Sequence, residues 1–446
     1  MSIHPPRLVL AAALLAACNP LSGAPELASV VESRLNADYP SLEALYKDLH
    51  AHPELSLMEV RTSARVAAEL RAAGFDVTEN FGGTGVVGVL RNGAGPTLLI
   101  RTDMDALPVK EETGLPYASA VRALNLSGKE VPVMHACGHD VHMTIFVGTA
   151  RILAGLRDKW RGTAVLIGQP AEEMVVGARN MLTAGLYRRF PKPDYAIGLH
   201  DEPQIPAGTV DFAEGYVTSN SDSVDITVRG IGGHGARPEG AKDPVVLAAQ
   251  IILALQTIVS REIHPGDPAV VTVGTISGGN KRNIIPDEVR LGLTVRSYSS
   301  DVRAHLIASI RRICRGEAIA AGIPEELMPV VEVIESEATP ATYNDPALVR
   351  RLRAAATGWL GPDRVGTGGP VMGSEDFSQY GRTVEKVPLC FFRVGATAPE
   401  RLAESLRTGV PVPSLHSSRF APVPEPTIKT GVMAMSAAAL DLLAKD

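Results

Sequence analysis

Aromatic residues are scarce in this chain of 446 residues: phenylalanine, tryptophan and tyrosine together make up 4%. A stacking platform for single-stranded nucleic acid needs several of them close together. The formal net charge of −6 is also the wrong sign for a phosphate backbone, so no nucleic-acid partner is expected. Long apolar runs are equally wanting, since beyond the N-terminus none approaches the ~20 residues that cross a bilayer. Cysteine is rare, with four in all, which excludes a disulfide-dense scaffold. A chain that is 45% hydrophobic and 21% charged is globular in composition. Its length suffices for two or three domains.

The N-terminus is the exception among the apolar runs. Arg7 precedes a stretch from Leu8 to Ala17 that has the length of a signal peptide. It ends Leu15-Ala16-Ala17-Cys18, which resembles a bacterial lipoprotein signal, where the cysteine is lipidated after cleavage. A plain signal peptide cut near Ser22-Gly23-Ala24 is the other reading. The expectation is a leader over residues 1–18 and an extracytoplasmic protein, anchored through Cys18 at the periplasmic face or secreted into the periplasm. Disulfides are allowed there, but only Cys137, Cys314 and Cys390 remain. Cys314 and Cys390 read as two buried thiols, with a pairing left open.

What the chain does have is one dense cluster. Met134-His135-Ala136-Cys137-Gly138-His139-Asp140-Val141-His142 packs three histidines, a cysteine and an aspartate into nine residues. Thiolate and imidazole suit borderline-soft cations such as Zn²⁺. Cys137 and His139 converge on one point only across a sharp turn, which Gly138 permits. The cluster therefore reads as a metal site.

Apolar runs flanked by turn signals give buried strands over 85–90, 96–101, 163–168, 195–199 and 387–394. Helical spacing places helices over 25–49, 59–73, 143–156, 346–360 and 427–443. Gly83 to Gly88 matches a dinucleotide-binding pattern, but a strand follows where that fingerprint needs a helix, so no nucleotide cofactor is expected. Several strands end in chemistry, where open α/β sheets place it. The run 96–101 feeds Asp103-Met104-Asp105, which reads either as a turn with solvated aspartates or as a pair in which one carboxylate orients a ligating histidine. The run 163–168 leads to Glu172-Glu173, in which one carboxylate ligates while the other faces a water as general base. The run 195–199 delivers His200. His52, before Pro53, reads as a helix-end residue.

From about 215 to 329 the pattern changes to β-α-β-β-α, with strands over 224–228, 270–273 and 289–295 and helices over 245–259 and 302–321. A strand over 330–334 closes it. This suggests a small inserted α+β domain between two parts of a larger α/β domain, over 25–214 and 330–446. A glycine-rich loop over 230–236 carries His234, and another glycine-rich loop spans 366–377.

Taken in order, eight pieces resemble the M20 metallopeptidase family, in its amidohydrolase branch. They are Asp103 to Pro108, His135 to Asp140, Pro170 to Glu173, Gly198 to His200, Gly233 to Ala236, Asn283 to Pro286, Gly373 to Phe377, and Leu415 to Ser417. The resemblance implies a fold with a mostly parallel sheet flanked by helices and a ferredoxin-like inserted domain that dimerises and acts as a lid. It implies Cys137, His139, Glu173, His200 and His416 as ligands of two divalent metal ions (Zn or Mn, with Co or Ni also suited). Glu172 resembles the general base and Asp105 the aspartate behind the ligands. His234 resembles a histidine lent to the neighbouring subunit's site, and Asn283 and Arg296 resemble the groups that hold the substrate's carboxylate. The implied activity is hydrolysis of N-acyl amino acids by metal-activated water in a homodimer. A dipeptidase or carboxypeptidase of the same family, and a non-catalytic lipid-anchored binding protein, are the alternatives. The chain departs from the family at Val141, which stands where a glycine is usual.

Overall fold

The structure is a computed structural model that describes residues 24–445; the leader and Cys18 lie outside the described residues. An eight-stranded sheet runs through the larger body. Its order is Asp76–Thr78, Val86–Asn92, Gly162–Gln169, Thr97–Asp103, Tyr195–Pro206, Leu389–Thr397, Val210–Asp211, Val365–Gly366. The four middle strands are mutually parallel. Antiparallel pairing lies toward the two margins. The sheet is thus mostly parallel, as expected.

Alternation along the middle strands explains why both faces are covered. Leu98, Ile100, Ala164 and Leu166 are buried with residues of the helices Ala24–Ala51, His139–Gly155, Pro346–Leu360 and Pro424–Leu442. Leu99, Val165 and Ile167 point the other way, into a second cluster with Phe81, Met181, Phe377 and Phe391. Two elements differ from the sequence reading in a way that matters for the site. The helix expected from 143 begins at His139, so the metal-type cluster forms its entry turn. The strand expected to stop at 199 continues to Pro206, so His200 lies within it.

The smaller body is a four-stranded antiparallel sheet in the order Ala269–Ser277, Glu288–Ser297, Asn220–Arg229, Val330–Val333. Helices Pro244–Thr257 and Ser300–Ala320 cover it. This β-α-β-β-α-β order is ferredoxin-like. Its fourth strand lies beyond the expected boundary at 329, because Val330–Val333 pairs with Asn220–Arg229. The stretch Pro244–Glu262 comes closer to bilayer length than composition suggested. Leu247, Ile251, Leu255 and Ile258 bury one side of it in the small core, while Val246 and Leu253 stay exposed. Cys314 lies in this core and Cys390 in the large one, and both are free buried thiols.

Candidate active site

The strand Thr97–Asp103 carries its last residue to the carboxyl end of the parallel sheet, where Asp103 and then Asp105 are buried. Asp105 organises the glutamate pair. Its carboxylate accepts hydrogen bonds from the backbone N–H groups of Glu172 (3.1 Å) and Glu173 (3.0 Å), and from Ser56 Oγ (2.6 Å). Its main-chain oxygen lies 2.7 Å from His139 Nδ1. That contact fixes the ring so that Nε2 points away, toward Glu173 and Asp103.

The turn before the helix depends on Gly138. Its φ of 76° is left-handed, and a Cβ there would collide with the Asp201 carboxylate. With that turn in place, Cys137 Sγ lies 3.5 Å from His200 Nε2 and 3.2 Å from His416 Nε2. His416 Nε2 is also 3.4 Å from Glu173 Oε1. A backbone bond from His416 N–H to Ala136 O, at 2.8 Å, ties the distant His416 loop to the cluster.

Several triads of potential ligands result, and two of them, Cys137–His139–His200 and Cys137–Glu173–His416, share Cys137. Within each triad the potential ligand atoms lie within 4.8 Å of one another. Cys137 belongs to both. The structure therefore brings together all five residues singled out as ligands, though they span some 280 positions.

The donor set fits divalent cations. His139 Nε2 and Glu173 Oε1 are buried and have no hydrogen-bond partner, which is costly unless a cation satisfies them. The surroundings are rich in negative charge. Burial opposes a proton on His139, yet Asp103 and Asp105 override it and lift its pKa to about 9. Burial and the carboxylates of Glu173, Glu172, Asp201 and Asp103 push the Cys137 thiol well above its usual range. A nearby divalent cation reverses that balance and favours the thiolate.

Glu172 is buried beside this group, and burial, then Glu375 and Glu173, push its carboxyl well above the usual range. It lines a cavity of about 680 Å³ with Cys137, Glu173, His200, His416 and Arg296, a size suited to a small-molecule ligand. Arg296 thus reaches the cleft from the inserted domain. His234 and Asn283 do not line it. They sit together at the paired segments Gly233–His234 and Ile284–Ile285, where Gly235 N–H donates to Asn283 O at 2.9 Å. His234 is exposed there.

His142 also lies within ligand reach of His139 and of His200, in triads with Asp103 and with Asp201. His142 is held between carboxylates, with Nδ1 2.7 Å from Asp103 and Nε2 3.0 Å from Asp201. His135 is buried outside both triads. Asp201, Arg101 and Glu375 were not singled out from sequence. Arg101 had a signal, a charge inside the apolar strand Leu98-Leu99-Ile100-Arg101. It is fully buried, 2.6 Å from Asp103 and 2.8 Å from Glu375.

A family model for peptidase family M20/M25/M40 matches residues 99–408. A probable hydrolase of Synechocystis sp. is 38% identical over 403 residues, covering 90% of this chain and 95% of that protein. A hippurate hydrolase of Campylobacter jejuni is 37% identical over 340 residues, covering 76% and 84%. The crystal structure of a Bacillus subtilis protein, described as a dinuclear metal-binding peptidase from the M20 family, superposes with a TM-score of 0.73. It has 28% identity and covers 93% of this chain and 99% of that one.

Proposed function

The chain belongs to peptidase family M20/M25/M40 and is a metal-dependent amidohydrolase, and we propose that it cleaves the amide bond of N-acyl amino acids. The observation that carries this reading is the shared position of Cys137 between two ligand triads, with Glu172 beside them in one cleft. Cys137, His139 and His200 would hold one divalent cation, and Cys137, Glu173 and His416 the other. Two such cations would polarise the amide carbonyl and lower the pKa of a water toward ~7.

Glu172 takes a proton from the attacking water and returns it to the leaving amine. A buried carboxyl whose pKa is raised above the usual carboxylate range suits both transfers. Asp105 holds the Glu172–Glu173 backbone and the His139 ring in register. Arg296 binds the substrate's carboxylate, for which its planar fork is matched. His234 and Asn283 complete the site of a second copy, with His234 at the developing oxyanion. A homodimer through the inserted domain is supported by its open edge strand Ala269–Ser277 and by exposed Val246, Leu253 and Ile276. The leader supports lipidation at Cys18 and an extracytoplasmic site of action. Replacing Cys18 with Ala should abolish metabolic labelling by a fatty acid.

The decisive experiment is Glu172→Gln. Turnover of hippurate and other N-acyl amino acids should fall by about 10²–10⁴-fold, with bound metal, measured by plasma mass spectrometry, unchanged. Near-full activity in that variant sinks the mechanism. Metal uptake with no hydrolysis by the wild type, across N-acyl amino acids and dipeptides, would leave only a binding protein.

A further inference from the structure

The strand Leu389–Thr397 reads Leu389-Cys390-Phe391-Phe392-Arg393-Val394-Gly395, an apolar run interrupted by one charge. Arg393 is the in-register partner of His200 on the neighbouring parallel strand. Residues paired this way point to the same face about 4.8 Å apart. Arg393 accordingly lines the same cavity as Cys137, Glu172, His200 and Arg296.

Its hydrogen bonds are to backbone oxygens alone, Nη1 to Gly369 O and Nη2 to Val217 O, both at 2.9 Å. Among the described residues no carboxylate lies within salt-bridge distance of it. Glu202 and Asp211 are the negative charges that act on it, and Asp211 is its in-register partner on the antiparallel strand Val210–Asp211. Burial lowers the pKa of the Arg393 guanidinium. Arg101, by contrast, meets Asp103, Glu375 and Asp376. A largely buried cation satisfied only by carbonyl dipoles keeps a charge that an anion would neutralise. Three of its five N–H donors remain for a ligand.

Arg296 is placed alike. Its Nη1 donates to Met372 O at 2.9 Å, so the two guanidinium groups grip one glycine-rich loop at Met372 and Gly369 and both face the cavity. With Arg296 holding one substrate carboxylate, Arg393 remains as a second cation on the same cavity.

We propose that the preferred substrate carries a second carboxylate and that Arg393 binds it. This rests on the N-acyl amino acid reading above and narrows it to doubly acidic substrates. The second carboxylate belongs either to the side chain of an acidic amino acid or to the far end of a dicarboxylic acyl group.

The test compares kcat/KM of the metal-loaded enzyme on two matched pairs of probes. N-acetyl-L-glutamate is set against N-acetyl-L-glutamine, and N-succinyl-L-alanine against N-butyryl-L-alanine. In one pair the acid should exceed its neutral counterpart by about 100-fold, and that pair identifies which end of the substrate meets Arg393. Arg393→Met should collapse the ratio toward one, and Arg393→Lys should restore part of it. Each ratio is taken on one preparation, so a partly unfolded variant does not distort it. Both pairs hydrolysed with ratios near one, or a ratio that Arg393→Met leaves intact, overturns this inference while the amidohydrolase reading stands. No hydrolysis of any probe overturns both.

Discussion

His50 is buried between two carboxylates, 2.6 Å from Asp140 Oδ2 and 3.0 Å from Glu111 Oε1. Burial opposes its charge, but the two acidic partners override it and raise its pKa from 6.5 to about 10. Between those values the folded chain keeps a proton that the unfolded chain releases. The stabilisation is therefore complete below about pH 6.5 and is lost as pH rises through about 10. The urea midpoint of the metal-loaded protein should fall between pH 7 and 10, and His50→Gln should flatten that fall. Equal slopes in the two proteins would refute the assignment. Nothing local marked His50, since its partners lie 61 and 90 positions away. Its neighbour His52 was legible as a helix-end residue, and it is exposed with Nδ1 2.8 Å from Asp48 O. Cys137 and His139 were legible because cysteine and histidine are rare and cluster there, Glu173 and His200 because they follow apolar strands, and His416 only through the family motif around it.

At the scale of elements, strands with uninterrupted apolar runs could be read directly, because burial on both faces leaves no polar alternation to confuse. The acidic residues just past the strand ends stood out against those runs: Asp103 and Asp105 after one, Glu172 and Glu173 after another. The network beneath them could not be read. Arg101 joins Asp103 to Glu375 and Asp376, across 274 and 275 positions, and only the folded sheet brings Gly373 to Phe377 under the first strand. Replacing Arg101 with Met leaves these carboxylates buried together without a cation, which should destabilise the chain by about 3–5 kcal/mol in urea unfolding. Adding Glu375→Gln to that variant removes one of the stranded charges and should recover part of the loss. Strictly additive effects in the double variant would show that the three groups do not form one network.

The molecule has two bodies with separate apolar interiors, joined at Gly215–Thr218 and Thr342–Asn344, whose strands pair. The insertion's fold was readable from its alternating strands, but its role depends on where it carries His234 and Asn283. Within one chain neither residue lines the cavity that holds Glu172 and Arg296. The proposed homodimer resolves this, because a second copy can supply both from outside. It also makes a prediction that no single-chain arrangement shares. Glu172→Gln and His234→Ala should each be nearly inactive alone. In a mixed dimer, the His234→Ala subunit keeps its own Glu172 and receives an intact His234 from the Glu172→Gln subunit, so one of the two sites is complete. Random exchange at equal concentrations makes half of the dimers mixed, and about a quarter of all sites become active. Unfolding and refolding the two variants together should thus recover about a quarter of wild-type turnover, while refolding each alone recovers none. If the mixture stays as inactive as its components, His234 does not serve the partner's site.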